Sequence, residues 1–295
     1  MEESPTLEFF GATTFRLRAH GITIFHDTWL EKPRLMKRHL ELHDVTEADY
    51  IFISHAHFDH LPGADRLALR TGAIVIANCE AINLLRQAGV PESQLLPVSG
   101  GERIPLFTRA VREQASTGSF YSGSATQFEC TLDITQTMTW GLMRLNEIVP
   151  ADRMDAGTQA LAEFISDRER NIMSGCDGGQ LMFNVVFRDN AILFNSHLGA
   201  YEGILKSIEP KPNVAVLGIA GRANYNGRPF DGSAAQFALK QAEWLERPQR
   251  IIWCMHDESL VPPFKVDTRP ATELVTKKTG AEVIELAHGK RHDMF

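Results

Sequence analysis

The fold of this chain is indicated most directly by the stretch Ile51-Phe52-Ile53-Ser54-His55-Ala56-His57-Phe58-Asp59-His60-Leu61-Pro62-Gly63. It begins with an apolar run typical of a buried strand and continues into four potential metal ligands within six residues. A proline follows, which is a residue suited to the first turn of a helix. Histidine and aspartate are side chains that zinc and related metals use in proteins. The stretch therefore predicts a metal-binding loop between a strand and a helix.

The spacing of these ligands predicts that they point in two directions. His55 and His57 are two residues apart at the end of an extended run, so their side chains leave the same side of the backbone. These two histidines can share one metal ion. Asp59 and His60 follow where the chain must turn before Pro62, so they are aimed differently and can reach a second ion nearby.

The run His55-Ala56-His57-Phe58-Asp59-His60 resembles the H-x-H-x-D-H signature of the metallo-β-lactamase-fold superfamily. The resemblance implies an α/β architecture, a four-layer αββα sandwich with one or two metal ions in a groove where two sheets meet. Within that superfamily, the pattern is most similar to the lactonase-like branch related to ascorbate 6-phosphate lactonase. It does not by itself imply lactam hydrolysis, because one fold hosts many chemistries.

Two other positions match the superfamily pattern. Asp27 ends a predicted strand where the first motif of the superfamily carries an aspartate, and the resemblance implies that it braces the histidine loop through hydrogen bonds. His26, beside it on the strand, points to the opposite face and is expected at the surface. His256 follows the predicted strand Arg250–Met255, as the last metal ligand of the superfamily follows a strand near the carboxyl terminus.

Two positions depart from that pattern. Relatives commonly place a third-motif histidine near the end of the strand that we predict at Leu106–Gln114, but Gln114-Ala115-Ser116-Thr117 contains no histidine. Relatives also end a later strand in Gly-Asp, whose carboxylate bridges two metals. Here the predicted strand Ala191–Asn195 is followed by Ser196-His197, which places His197 at the position of that carboxylate.

The resemblance implies two sets of metal ligands. In one simple assignment His55, His57 and His197 hold a first ion, and Asp59, His60 and His256 hold a second. Asp59 would also orient or deprotonate the attacking water, which makes it the predicted catalytic residue. A neutral imidazole cannot bridge two metals as a carboxylate does, so this site carries less negative charge than its relatives.

The predicted cofactors are one or two divalent metal ions. Zinc is expected first, with iron or manganese as alternatives because the site is rich in histidine and poor in carboxylates. Cys176 and Asp177 lie just before a predicted hairpin, and either could replace the missing third-motif ligand. The sequence leaves open whether they do so or only form a loop.

The remaining histidines lie outside the signature. His39 and His43 could face one way on a short helix, but no further ligand stands beside them in the sequence, so a structural role is favoured. His288 and His292 are expected to be exposed tail residues, with the capping of a partner's site as the alternative.

The composition predicts one folded domain. Of the 295 residues, 43% are hydrophobic and 23% are charged, which suffices for a large core. Because no linker-like stretch divides the chain, we predict a single domain over residues 1–295, with a helical insertion at about 117–175. Helices are predicted at Leu142–Val149 and Gly157–Arg170. Five residues of the insertion either wall a substrate pocket or form its own core: Phe120, Tyr121, Phe128, Trp140 and Met143.

Charge and hydropathy exclude several classes of partner. The formal net charge of −7 argues against nucleic acid, whose binders concentrate Lys and Arg. No stretch is long enough to span a bilayer and the amino terminus lacks the pattern of a signal peptide, so we expect no membrane partner and a cytoplasmic location. The expected partner is a small-molecule substrate. The oligomeric state stays open, with a homo-oligomer as one alternative.

Three functions are compatible with this sequence. The favoured one is a metal-dependent hydrolase in which a metal-activated water attacks a small ester, lactone or amide. The second is an iron-containing oxidoreductase or oxygen-binding protein, which a histidine-rich site would suit. The third is a non-catalytic relative whose metal only stabilises the fold.

Overall fold

The first of two seven-stranded sheets contains the predicted signature strand. The computed structural model describes residues 4–116, 130–136, 155–221, 223–258 and 265–295. The strands of the first sheet are β1 (Thr6–Phe9), β2 (Phe15–Ala19), β3 (Ile22–His26), β4 (Tyr50–Ile53), β5 (Ile74–Ala77), β6 (Leu95–Pro97) and β17 (Arg291–Asp293). Their order in the sheet is β17-β1-β2-β3-β4-β5-β6, in which β3 to β6 run parallel.

The second sheet has the order β16-β15-β12-β10-β9-β8-β7. Strands β10, β12, β15 and β16 are parallel, and β7 to β10 pair antiparallel. Its strands are β7 (Arg103–Leu106), β8 (Cys130–Gln136), β9 (Leu181–Phe187), β10 (Asn190–Asn195), β12 (Val214–Gly218), β15 (Arg250–Cys254) and β16 (Glu282–Ile284). A small third sheet consists of β11 (Gly199–Ala200), β13 (Asn224–Tyr225) and β14 (Arg228–Pro229).

Helices cover the outer faces of both large sheets. Local capping defines several ends: the Asn78 side chain accepts from Ala81 N, and Ser233 forms a capping box with Gln236. Within the described ranges no helix is long and apolar enough to cross a membrane. The helices are α1 (Ala64–Thr71), α2 (Cys79–Gln87), α3 (Arg109–Ser116), α4 (Ala156–Ser166), α5 (Glu202–Ser207), α6 (Ala234–Trp244) and α7 (Arg269–Thr279), with 3₁₀ turns at Leu42–Asp44 and Glu92–Gln94.

Three apolar clusters hold these layers together. Between the sheets, Phe52 of β4 stacks on Phe183 of β9 with ring centroids 5.1 Å apart. Outside the first sheet, β4 and β5 pack on α1 and α2, and outside the second sheet β12 and β15 pack on α6 and α7. Both faces of the central parallel strands are therefore buried, which explains their continuous apolar sequences. This arrangement confirms the predicted αββα sandwich.

The carboxyl ends of the parallel strands create the predicted groove. Asp27 follows β3, Ser54 follows β4 and Ser196 follows β10. The Ser196 hydroxyl lies 2.9 Å from His26 Nε2 and 3.3 Å from Asp27 Oδ2, so the two sheets meet at this edge. Crevices outside the carboxyl ends of parallel strands are the usual ligand sites of α/β proteins.

Two predictions about secondary structure need correction. The predicted strand Leu106–Gln114 was wrong: β7 ends at Leu106, and the chain continues as α3. Residues 130–136, part of the predicted helical insertion, form β8 between β7 and β9 and thus belong to the second sheet. The prediction of a helix at Gly157–Arg170 corresponds to α4, whereas the helix at Leu142–Val149 and the five apolar residues of the insertion lie outside the described residues.

Candidate metal centre

The signature loop folds back on itself directly after β4. His60 N and Leu61 N both donate to His57 O, at 3.3 and 3.1 Å, and this turn precedes α1. One ligand atom each from His55, Asp59 and His60 lies within 4.8 Å of the others, and all three residues are buried. The structure therefore brings together three of the predicted ligands, drawn from both predicted sets.

His55 and His57 are also in contact. His55 Nε2 lies 3.0 Å from His57 Nδ1, and the two rings meet edge to face. Burial lowers the pKa of both histidines, to well below the ordinary value for His55. Both imidazoles are therefore neutral at pH 7, which is the form that binds metals.

Asp27 holds the signature loop in place through hydrogen bonds to Ser54 and His60. Its carboxylate accepts hydrogen bonds from Ser54 N (2.8 Å), the Ser54 hydroxyl (2.9 Å) and His60 Nδ1 (2.6 Å). Asp27 has a φ of +50°, a strained value for a residue other than glycine. The His60 bond fixes Nδ1 as the protonated nitrogen and leaves Nε2 for a metal, as hydrogen-bonded carboxylates do in known metal sites. These hydrogen bonds are the ones expected if Asp27 braces the histidine loop.

The charge balance at His60 favours a cation in this place. Burial opposes protonation of His60, but the carboxylates of Asp59 and Asp27 outweigh it and raise the pKa of His60 to about 10. His60 Nε2 lies 3.2 Å from Asp59 Oδ2 and Nδ1 bonds to Asp27, so the imidazolium bridges two carboxylates. Burial would raise the pKa of Asp27, but His26 and His60 hold it well below the ordinary value. A metal at Nε2 would replace a proton that these carboxylates already stabilise.

His26 and Ser196 belong to the site, although the sequence did not indicate it. The expectation that His26 lies at the surface was wrong, because the second sheet covers that face of β3: its ring stacks on Phe194 at 4.7 Å and is almost completely buried. Burial lowers the pKa of His26 to about 4. The Ser196 hydroxyl joins His26 Nε2 to Asp27 Oδ2, so a polar network runs beneath the loop. In the sequence, the one signal for this role of Ser196 was its position directly before the predicted ligand His197.

His197 lies beside the cluster of His55, Asp59 and His60, and its Nε2 forms a hydrogen bond. Its Nε2 donates to Leu181 O at 2.6 Å, and its ring centroid is 5.3 Å from that of His55. Burial lowers the pKa of His197 to about 3, and its buried Nδ1 has no hydrogen-bond partner among the described residues. A Cβ on Gly218 would lie 2.4 Å from His197 O, so glycine is required for this close approach.

His256 lies across a short turn from Asp59. Met255 N donates to Ala12 O at 2.8 Å, and the next residue of that turn, Thr13, donates its hydroxyl to Asp59 O at 3.2 Å. Burial lowers the pKa of His256. His256 thus follows β15 at the predicted edge, two residues after that strand ends at Cys254, although its ligand atoms are not part of the three-residue cluster.

The segment that follows His256 is held by other charged residues. His288 Nε2 bonds to Asp257 Oδ2 at 2.6 Å, and Lys32 forms a buried ion pair with Glu258. His288 is therefore not a free tail residue, because the carboxyl-terminal strand β17 returns to pair with β1. His39 stacks on His288 at 3.8 Å, in keeping with its expected structural role.

Cys176 and Asp177 are held against the signature loop by main-chain bonds. Ala56 N donates to Asp177 O at 3.1 Å, and Ser174 N donates to Ala56 O at 2.8 Å. The Asp177 carboxylate accepts a hydrogen bond from Gly179 N at 2.9 Å. Burial lowers the pKa of His57, and the charges of Asp59 and Asp177 offset only part of this effect. The replacement of a missing ligand by either residue stays a prediction.

The residues present fit a divalent metal ion. Three buried ligand atoms converge, and burial lowers the pKa of the neighbouring histidines, so their imidazoles are neutral. His57, His197 and His256 each have one buried ring nitrogen without a hydrogen-bond partner within the described ranges. With a metal ion in place of the Nε2 proton of His60, the cluster would supply two neutral imidazoles and one carboxylate, a donor set that zinc, iron and manganese accept.

No family model matches the sequence. Over 83 residues, the chain is 32% identical to a UPF0173 metal-dependent hydrolase from Christiangramia forsetii, a match that covers 28% of this chain and 36% of that protein. Over 102 residues, it is 31% identical to a protein of the same name from Pyrobaculum islandicum, which covers 34% of this chain and 44% of that protein. The matches thus span less than half the length of these curated relatives.

Solved structures share the fold over nearly the whole chain. Igni18, a metallo hydrolase from Ignicoccus hospitalis, has a TM-score of 0.62 at 18% identity and 98% coverage of both chains. The metallo-β-lactamase fold protein YhfI from Bacillus subtilis has a TM-score of 0.56 at 8% identity, with 98% of this chain and 99% of that chain covered. CmlA, a diiron β-hydroxylase from Streptomyces venezuelae, has a TM-score of 0.56 at 15% identity, with 99% of this chain and 54% of that chain covered.

Proposed function

This chain has the metallo-β-lactamase fold, and we propose that it is a metal-dependent hydrolase of a small ester, lactone or amide. The observation that carries the proposal is the convergence of His55, Asp59 and His60 at the groove between the sheets. The partial similarity to proteins named metal-dependent hydrolases supports it. A small substrate is favoured because the three ligands are buried.

The residues of this chain would bind the ion, orient the water and fix the tautomer of a ligand. His55, Asp59 and His60 would hold the ion, with His57, His197 and His256 as the other predicted ligands. A bound divalent ion would supply Lewis acidity, which acidifies water and polarises a carbonyl group. Asp59, the carboxylate of the cluster, would orient the attacking water and accept its proton. Asp27 would keep His60 in the tautomer with Nε2 unprotonated through the 2.6 Å bond to Nδ1.

The test is hydrolysis of a panel of chromogenic esters, lactones and amides by zinc-loaded protein. We expect Asp59→Asn and His60→Ala to lower kcat/KM at least about 100-fold, the usual range for a lost proton acceptor or ligand. His292→Ala on β17, away from the groove, is the matched histidine control and should retain activity. Turnover that survives both ligand substitutions, or that a metal chelator leaves unchanged, would contradict the proposal.

The second candidate is an iron-containing oxidoreductase or oxygen-binding protein. Two histidines and one carboxylate at one point are the ligand type of many non-haem iron sites, which is the observation in its favour. Protein purified without added metal would then contain iron, show a visible absorption band and consume oxygen. Zinc content with turnover of a panel member would support the hydrolase instead. A metal whose removal lowers only the melting temperature would support the non-catalytic alternative.

A further inference from the structure

A cleft beside the signature loop has the size of a small-molecule site. It lies between α1, α2 and residues 168–175, and its volume is about 650 Å³. Clefts that bind small molecules in proteins usually enclose roughly 300–1,000 Å³. Another cleft, beside Lys32 and Phe164, has a volume of about 180 Å³, which is below this range. The larger cleft can therefore hold a molecule of substrate size.

One wall of this cleft is tied to the candidate metal centre. Ser174 and Gly175 form part of that wall. Ser174 N donates to Ala56 O at 2.8 Å, and Ala56 lies between the predicted ligands His55 and His57. Burial lowers the pKa of His57, and the main chain of Gly175 is near enough to offset part of this effect. A molecule in the cleft would therefore lie against the segment that borders the centre.

The lining of the cleft combines apolar side chains with an excess of negative charge. Its charged residues are Asp65, Arg168 and Glu169, of which two are acidic. Arg168 already donates through Nη1 to Met173 O at 2.8 Å. The apolar side chains of the lining are those of Leu84, Ala88, Ile172 and Met173. Such a lining favours an apolar molecule that carries a positive charge.

Asp65 is the buried carboxylate of this lining. Its side chain is 13% exposed, and its Oδ1 has no hydrogen-bond partner among the described residues. The Nε of Arg66 lies 3.8 Å from this oxygen, but the guanidinium forms a closer ion pair with Glu31. Burial raises the pKa of Asp65, although the charge of Arg66 opposes this. A buried carboxylate with so little compensation is stabilised by a cationic hydrogen-bond donor.

From these features we infer that the cleft binds the end of the substrate remote from the reacting bond, and that Asp65 selects an apolar chain ending in a protonated amine. The chain would pack on Ile172 and Met173, and the reacting end would extend past Gly175 toward His57. Asp65 would thus set specificity and take no part in the reaction. That the bound molecule is a substrate rests on the proposed function, whereas its binding in the cleft does not.

The binding of hexylamine tests the inference without turnover. Hexylamine is protonated at pH 7, as a lysine side chain is, and hexan-1-ol is its uncharged analogue. Dissociation constants of both would be measured by NMR titration of zinc-loaded protein. We expect the wild type to bind hexylamine at least about tenfold more tightly, as for a hydrogen bond between charged groups. Asp65→Asn should remove this preference, and the control Asp189→Asn, in the exposed turn between β9 and β10, should keep it.

A second variant locates the binding site. Ala88 lines the cleft at the end of α2, so Ala88→Phe should fill space there and abolish the binding of both molecules. Circular dichroism would verify that each variant is folded. Equal affinity of the wild type for the two molecules, a preference that persists in Asp65→Asn, or unchanged binding by Ala88→Phe would each overturn the inference.

The two proposals can fail separately. Hydrolysis of the substrate panel without a preference for hexylamine would preserve the proposed function and overturn the role of Asp65. A preference that depends on Asp65, in a protein that hydrolyses no member of the panel, would preserve the cleft as an amine site and contradict the proposed function.

Discussion

The substitution Asp27→Asn should weaken metal binding without unfolding the protein. The asparagine amide can replace one carboxylate oxygen as acceptor for Ser54 N, but it then presents an NH₂ group toward His60 Nδ1, which lies 2.6 Å from Asp27 Oδ2. His60 would avoid this clash of donors by moving its proton to Nε2, the nitrogen that a metal needs. The ligand is thus lost through its tautomer and not through its position.

The size of the effect follows from the bond that is removed. Loss of a carboxylate that orients a metal-binding histidine typically costs 10–100-fold in affinity, or about 1.4–2.8 kcal/mol. That range agrees with about 1.5–3 kcal/mol for a hydrogen bond to a charged group. We therefore expect the Kd for zinc to rise by about 10–100-fold, as measured by competition with a chromophoric chelator.

Asp49→Asn is the matched control for this experiment. Asp49 also accepts a main-chain N–H, from Thr23 at 2.9 Å, and contacts Arg112 at 3.2 Å, but it precedes β4 at the opposite end of that strand. Its zinc affinity should stay within about twofold of the wild type. A Kd of Asp27→Asn that is equally unchanged, or an equal loss in both variants, would refute the reasoning.

Three further predictions concern stability. His26 has a pKa of about 4 in the fold against an ordinary value of about 6.5, so this residue binds more protons in unfolded chains between these pH values. Lowering the pH through this window should therefore cost the wild type about 3 kcal/mol more than His26→Gln in urea unfolding, and an equal loss in the two proteins would contradict this. Glu8→Gln, which leaves Arg16 and Arg18 without their buried carboxylate, should lower the free energy of unfolding by about 1–3 kcal/mol, whereas the exposed Glu47→Gln should change it by less than about 0.5 kcal/mol. Gly218→Ala should destabilise by about 2–4 kcal/mol in thermal melts, because its Cβ would lie 2.4 Å from His197 O, while Gly203→Ala in α5, with no atom within 4 Å of the added Cβ, should be neutral or stabilising.

The sequence was least informative about where β7 ends, because the contacts at this boundary join residues that are far apart in sequence. Leu106–Gln114 was predicted as a strand, yet residues 109–114 are rich in helix formers and form part of α3. Tyr50 binds the main chain of Phe107, and Arg109 donates to Ala48 O and Thr71 O, which fixes the end of β7 and the direction of the helix. These partners are far away in sequence, so no local pattern indicates them.

The signature and the local sequence patterns were enough to predict the signature loop, the sandwich and the strand ends that carry Asp27, His197 and His256. Apolar runs, turn residues and ligand spacing are local properties, and the parallel strands bring their carboxyl ends to one edge. The contact of Ser196 with His26 and Asp27, residues about 170 positions earlier, is visible only in the folded chain, because it requires two sheets to pack face to face. The same packing buried His26 and tied His197 Nε2 to Leu181 O, and so decided which nitrogens of the predicted ligands are available to a metal.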